Sequence, residues 1–597
     1  MYFGGSIGVV VTIILGLVAV INGAKIALVP SSGCYSHDVM MREVGFEFPE
    51  ENKTWVQIYM YEFGFGSIKL PESWERLLVN RVTNEANAMQ QVGSRLLWEM
   101  TIPFDHSRPW DLRGTEVFIE ILENSFGECA RLMKSGDFYK YAKKQQDVEL
   151  IVVDHFLQEC VTAMASLLNA TTVQFSNWPI SDGYVTSLNI PSNPSYVTKT
   201  GTIFPGNGMS FLERAMNTVY NALIVLARYL QMFLVSMFYS SIGHPNIDMN
   251  TIEAGHLFYA GRSEFLAEPI RPLNNRIKHF GCAACKPIAE YVIAMPDSVE
   301  VRTRTVSKSG NSSTLLGGFN LLTPNGTVVD CSPKLKSATQ FVLAEGVNRT
   351  ILEERYVKTQ LEYPELDFAE LESRKFVLVS FGSVAKVRYM KPELLLKFFK
   401  EFEKLDRLVV WATNSPVSDY LKESDEVPEN VRLLQWAPIK VLLAHHNLDF
   451  VFCHGGINTL NEIFHFGVPV LGLPLQGDQP SNLNRMRELG IGELVEISEI
   501  WSDKLGEKLS KMVANLPSYT QRAKLVGSMV TAHRQLAPNR QNFWLHWAKR
   551  HGGRIKRSPA GQKLFEFFYR PLWEHFALLE VAFWGAIIMG LIRIISL

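Results

Sequence analysis

The 597-residue chain has only seven cysteines, so disulfide crosslinks are not its framework. Neither sign of charge is in excess: 59 Lys and Arg face 60 Asp and Glu, a formal net charge of -1. With no global basic surplus, nucleic-acid binding is not indicated. No segment recurs at a period of 20–50 residues, which excludes a solenoid. No Asp-x-Asp occurs anywhere, which removes one common device for holding a metal–diphosphate pair. Cys282-Ala-Ala-Cys285 has no second Cys pair or His pair at zinc spacing, so it reads as a disulfide or an inert pair. Gly4-x-Ser6-x-Gly8 matches a hydrolase elbow only as text, because it lies in an apolar N-terminal run and not between strand and helix. What is present is 47% apolar, 11% aromatic and 20% charged, a globular composition in a chain too long for a single core.

Both ends are apolar. Residues 7–20 (IGVVVTIILGLVAV) carry no charge and are followed by Asn22-Gly23-Ala24. The length suits a secretory leader, so residues 1–23 are expected to be a signal peptide, although no Lys or Arg precedes the run. Residues 576–597 contain only Glu580 and Arg593 among apolar side chains and are expected to form a transmembrane anchor. The basic residues Lys549, Arg550, Arg554, Lys556, Arg557 and Lys563 precede that run. They would place the preceding side in the cytosol by the positive-inside rule, whereas a signal peptide places it in the lumen. Five sequons, at Asn52, Asn169, Asn311, Asn325 and Asn348, fit a lumenal body. The expected location is therefore the endoplasmic reticulum membrane, single-pass, with a lumenal catalytic body. Residues 562–573 suit the membrane interface just before the anchor.

Between the ends, short apolar runs read as buried strands: residues 25–29 (KIALV), closed by Pro30-Ser31-Ser32-Gly33, residues 149–153 (ELIVV) ending at Asp154, and residues 172–175. Residues 211–238 are strongly apolar but contain Glu213, Arg214 and Arg228, and are read as a buried helix rather than a span. Residues 286–375 are expected to be a linker with a polar surface excursion at 303–325. From 376 onward, strands at 376–380, 407–411, 431–434, 450–453 and 470–473 alternate with helices at 392–405, 440–444, 459–466 and 480–489. Such alternation implies doubly wound parallel sheets. The expected division is an acceptor-binding unit at 24–285, the linker, a nucleotide-binding unit at 376–535, C-terminal helices and interfacial segment at 536–575, and the anchor.

The stretch 436–482 is densest in chemistry. Cys453-His454-Gly455-Gly456 ends a strand just before a helix opens, so backbone N–H groups and the helix dipole can hold a diphosphate while His454 donates to it. Trp436 offers a face for a base, Glu462 can accept from a ribose diol, and Asp478-Gln479 at another strand end can bind sugar hydroxyls. At these residues the sequence resembles the UDP-glycosyltransferases, which include the UDP-glucuronosyltransferases. The signature runs through Val451-Phe452, His454, Gly455-Gly456, Thr459, Glu462, Pro469, Pro474 and Asp478-Gln479, and extends to Trp436-Ala437-Pro438, Leu442-Leu443, His445 and Ser380-Phe381-Gly382-Ser383.

The resemblance implies an α/β GT-B fold: two Rossmann-like doubly wound domains facing a cleft, plus a C-terminal membrane helix. It further implies that Trp436 stacks on uracil, Glu462 binds ribose, Ser383, His454, Gly456, Asn458 and Thr459 bind the diphosphate, and Asp478 and Gln479 hold the transferred sugar. His37, after the first strand, would be the catalytic base and Asp154 its charge partner. His155 is an adjacent rival, and His445 reads as a packed or capping residue. The expected reaction is inverting transfer of glucuronosyl or glucosyl from a UDP-sugar, a co-substrate, to the hydroxyl of a small lipophilic acceptor. It needs no metal and no cofactor. Homo-oligomerisation is left open. The alternatives are a catalytically silent membrane relative acting as a binding subunit, and a GT-B enzyme acting on lipid-linked sugar.

Four features depart from the family pattern, the first being an excursion at 286–375 longer than the family's linker, which would bear on domain closure. Ile439 replaces a usual Gln and removes a polar contact to the nucleotide, and Cys453 replaces Ser or Thr before His454. In addition, no basic tail follows the anchor.

Overall fold

A computed structural model describes residues 25–31, 35–58, 68–79, 97–99, 127, 148–155, 162–163, 170–177, 190, 193–206, 208–266, 268, 271–282, 285–295, 299–305, 319–322, 327–333, 349–422, 426–536, 540–566, 572–575 and 577–596. The expected signal peptide lies outside them, as do the sequons at Asn169, Asn311, Asn325 and Asn348.

The first unit is built on β1 (Lys25–Val29), α1 (Tyr35–Phe46), β2 (Asn52–Ile58), β3 (Glu75–Val79), β4 (Val148–Asp154), β5 (Thr171–Ser176), α2 (Phe211–Ser241), α3 (Met249–Ala254), β6 (Tyr259–Gly261) and β7 (Ile277–His279). Its seven strands are all parallel, in the order β3-β2-β1-β4-β5-β6-β7. The runs KIALV and ELIVV have no polar face because both sides of a parallel sheet are covered. One face packs with Val235 and Tyr239 of α2, and the other with Met40, Met41 and Val44 of α1.

The expected linker excursion instead contains a three-stranded antiparallel sheet, β8 (Val299–Thr305), β9 (Phe319–Leu322) and β10 (Thr327–Pro333), with β10 in the middle. In β8, Val299, Val301, Thr303 and Thr305 alternate with Glu300, Arg302 and Arg304, a strand pattern that the polar average of the segment concealed. Helices α4 (Arg349–Glu362) and α5 (Phe368–Ser373) follow.

The second unit comprises β11 (Phe376–Ser380), α6 (Pro392–Glu403), β12 (Leu408–Ala412), β13 (Val431–Leu434), α7 (Ile439–Leu443), β14 (Leu448–Cys453), α8 (Ile457–Phe466), β15 (Val470–Gly472), α9 (Gln479–Glu488), β16 (Gly492–Leu494), α10 (Ile497–Trp501), α11 (Leu505–Ala514) and α12 (Leu516–Leu536). Its six parallel strands run β13-β12-β11-β14-β15-β16. Both sheets reverse direction beside their first strand, at β1/β4 and β11/β14, and open α/β sheets bind ligands at such switch points. The two units touch: Gly201 N donates to Ser481 Oγ at 2.8 Å, Asn484 Nδ2 to the Phe204 carbonyl at 2.8 Å and Trp98 Nε1 to the Lys386 carbonyl at 3.0 Å. Two doubly wound units facing a shared cleft are the GT-B plan.

After α12 the chain crosses back. Helix α13 (Arg540–Arg557) packs Leu545 and Ala548 into the first unit's core, and Lys549 pairs with Glu51 at 2.7 Å. Helices α14 (Pro559–Glu566) and α15 (Leu572–His575) lead to α16 (Leu578–Ile595), an apolar helix with no buried residue. By length and composition, α16 and α2 could each cross a bilayer. Helix α2 corrects the expectation of a buried helix. Asn217, Asn221, Val225, Met232, Val235 and Tyr239 face inward, while Val219, Leu223, Leu226, Leu230, Phe233, Leu234 and Met237 are exposed.

Candidate active site

His37 is the third residue of α1, immediately beyond β1, and Asp154 is the last residue of β4. Adjacent parallel strands bring the two together across 117 residues of sequence. His37 Nδ1 lies 2.8 Å from Asp154 Oδ2, with both residues buried. Burial works against the imidazolium, but the charge and hydrogen bond of Asp154 outweigh it and hold the His37 pKa above its ordinary value. Burial would also raise Asp154. The charge of His37 and the hydrogen bonds from His155 and His37 override that and keep the carboxyl far below its usual range. An ionised Asp154 fixes the proton on Nδ1 and leaves Nε2 as the basic nitrogen. His155 Nδ1 stands 3.5 Å from the other Asp154 oxygen, so the rival histidine braces the same carboxylate.

Across the cleft, Asp478 precedes α9 and accepts from Asn482 Nδ2 at 2.7 Å, while the same Nδ2 donates to the Gly455 carbonyl at 2.9 Å. Its side chain makes no capping bond, so a helix cap does not account for it. Burial pushes its pKa up to about 7, and the charge of His37 acts on it from the first unit. Gln479 Oε1 accepts from the backbone of Leu475 at 2.9 Å and Gln476 at 3.0 Å, fixing the loop that presents Asp478.

His454 follows β14, and loss of hydration lowers its pKa to about 4, so the ring is neutral. Two glycines enclose it. A Cβ on Gly382 (φ +74°) would lie 2.5 Å from His454 Nε2, and one on Gly456 would lie 2.7 Å from it. Gly456 caps α8 with no side chain, leaving the N–H groups of the first turn aimed at the cleft.

A cavity of about 580 Å³ opens beside this helix start. It is lined from the second unit by Ser383, Trp436, Asn458, Thr459 and Glu462, from the first by Tyr35 and Arg262, and by Lys286 at the start of the linker. Trp436 is 54% exposed, and its ring centroid lies 6.0 Å from that of Tyr35. Glu462 Oε1 is 3.8 Å from Lys440 Nζ; burial raises the Glu462 pKa while Lys440 and Arg262 pull against it. Thus five of the expected nucleotide residues share one cavity. His37, Asp154, His454, Gly456, Asp478 and Gln479 are not in its lining. Ile439 lines it where a polar contact is usual.

Cys282 and Cys285 form a disulfide at the cavity edge. His445 Nδ1 accepts from the Asn447 N–H at 3.1 Å, a packed, loop-fixing role. That bond keeps the proton on Nε2, which faces Glu372 at 3.3 Å. The cluster of Glu372, His445 and His446 therefore lacks a free Nε2 lone pair on His445 for a metal. Sequence reasoning missed Tyr35, Arg262 and Lys286, which carry no local motif.

Residues 369–593 match the family model for UDP-glucoronosyl and UDP-glucosyl transferase. The mouse 2-hydroxyacylsphingosine 1-beta-galactosyltransferase is 32% identical over 209 residues, 35% of this chain and 36% of that protein. The bovine UDP-glucuronosyltransferase 3A1 is 29% identical over 205 residues, 34% of this chain and 37% of that protein. The chain thus aligns with only about a third of the length of these relatives. A solved UDP-glucosyltransferase from Polygonum tinctorium superposes over 90% of this chain and 99% of that one, at TM-score 0.47 and 13% identity. The matched stretch, residues 369–593, is the one that carries the helix start, the tryptophan and the two sugar-side residues, and it is similar to the UDP-glucoronosyl and UDP-glucosyl transferase family.

Proposed function

We propose that this protein transfers a hexosyl group from a UDP-sugar to a hydroxyl of a lipophilic acceptor, with inversion at the anomeric carbon. The buried His37–Asp154 pair, in charge contact with Asp478 of the opposite unit, carries this reading. His37 Nε2 takes the acceptor proton as the acceptor oxygen bonds to C1. The C1–O bond to the diphosphate breaks, and its electron pair leaves with UDP. Asp154 stabilises the imidazolium that forms. The α8 helix start, His454, Ser383, Asn458 and Thr459 receive the diphosphate charge. Trp436 stacks on the base, Glu462 accepts from the ribose, and Asp478 with Gln479 holds the sugar. In this scheme protein dipoles do the work of a metal, so turnover persists in EDTA.

Glucuronosyl and glucosyl remain the proposed groups, and the galactosyl transfer named for the mouse relative adds a third sugar to test. That relative's sphingosine-based acceptor also favours an acceptor with an alkyl chain. Helix α16 is proposed as the anchor of a lumenal body. The retained dyad argues against a silent subunit.

The test is UDP release across a panel of UDP-sugars and lipophilic acceptors. His37→Ala is expected to abolish turnover while UDP still binds. Unchanged turnover in that variant would remove the base assignment.

A further inference from the structure

Arg262 directly follows β6, and its carbonyl accepts a hydrogen bond from Asn461 Nδ2 on α8, so its backbone is tied to the opposite unit. The residue is 5% exposed and lines the cleft cavity beside Asn458, Thr459 and Glu462. Its Nε and Nη2 atoms are buried and make no hydrogen bond. These two N–H groups form one edge of the guanidinium fork, the edge that grips two oxygens of a phosphate or carboxylate at once. Glu43, Glu462 and Glu47 act on it through charge, but none reaches that edge. A buried cation is costly unless an anion meets it, so the arrangement is complete only when an anion enters.

Two observations choose the anion. The cavity falls within the range of about 300–1,000 Å³ typical of small-molecule sites. Asn458 and Thr459, in the first turn of α8, share its wall with Arg262, whereas Asp478 and Gln479 do not.

Resting on the UDP-sugar reading above, we propose that Arg262 is a further donor-binding residue whose Nε–Nη2 edge takes two oxygens of the nucleotide diphosphate. The contact comes from the first unit, while the helix start that holds the same diphosphate belongs to the second. Donor binding thereby ties the two halves of the cleft together.

The experiment is calorimetric titration of the full chain with UDP and with uridine, for the parent, Arg262→Gln and Arg262→Lys, together with unfolding temperatures without ligand. The glutamine variant is expected to lose UDP affinity at least tenfold with uridine affinity unchanged, and the lysine variant to fall between. Without ligand, Arg262→Gln should unfold at the parent's temperature or above, because an unpaired buried charge has been removed. UDP-glucose and UDP-glucuronate should weaken by the same factor. Equal UDP affinity in parent and Arg262→Gln would overturn the inference. So would loss confined to UDP-glucuronate, or equal loss for UDP and uridine with a lower unfolding temperature, which would mark a structural arginine. A parent that binds uridine and UDP equally weakly would instead overturn the UDP-sugar reading itself.

Discussion

His37 and Asp478 both hold a proton more tightly than usual within one cleft, for different reasons. The His37 pKa is raised, so its protonated form adds stability that is full below 6.5 and is lost as pH climbs through the folded value. A base must be neutral to act, so the acid limb of the transfer rate should have its midpoint above 6.5. Asp154→Asn removes the largest charge that raises it and leaves burial opposed only by the more weakly acting Asp38 and Asp478. The limb should then move below 6.5, with kcat down about 10²–10⁴-fold, as a pH–rate profile would show. Asp478 follows the same sign, with burial rather than a partner charge as the cause. Its folded pKa near 7 stands above the ordinary value of 3.8, so folding loses stability as pH rises between those values. Asp478→Asn should therefore raise the unfolding temperature at pH 8 while impairing transfer; at about 1.4 kcal/mol per pKa unit the gain is a few kcal/mol at most. A lower unfolding temperature there would show that the carboxylate is well solvated.

Elements explain what the sequence could and could not reveal. Trp436 and the residues from His454 to Gln479 could be read together because consecutive strand ends and one helix start place them within a short stretch, and Ser383 because it follows the end of β11. His37 and Asp154 were legible as strand-end residues, but their 2.8 Å contact depends on β1 pairing directly with β4. Arg262 was not legible, since a lone arginine after a three-residue strand has no pattern and its unpaired edge exists only once both units are in place. The exposure of α2 escaped for a related reason: it is apolar on most sides, and composition alone does not say which side meets protein. The return of α13 was equally hidden. Leu545 on that helix is fully buried in the first unit's core. Leu545→Ala should cost about 2–5 kcal/mol and reduce hydrogen-exchange protection in β4 and β5, which α13 overlies. Loss of protection limited to the second unit would contradict this placement.

At the scale of the molecule, the chain visits the first unit, then the second, then the first again through α13. Neither half is complete without the chain's last third, so expressing residues 24–375 alone would omit part of that half's core. The outward side of α2 has a practical outcome. Truncation before residue 578 is the obvious way to make a detergent-free preparation, yet it leaves Leu223, Leu226, Leu230, Phe233 and Leu234 bare to water on a 31-residue rod. Such a truncated protein should elute from a sizing column as large aggregates until those side chains are replaced by glutamate or lysine, so solubilising this molecule takes surgery at two places.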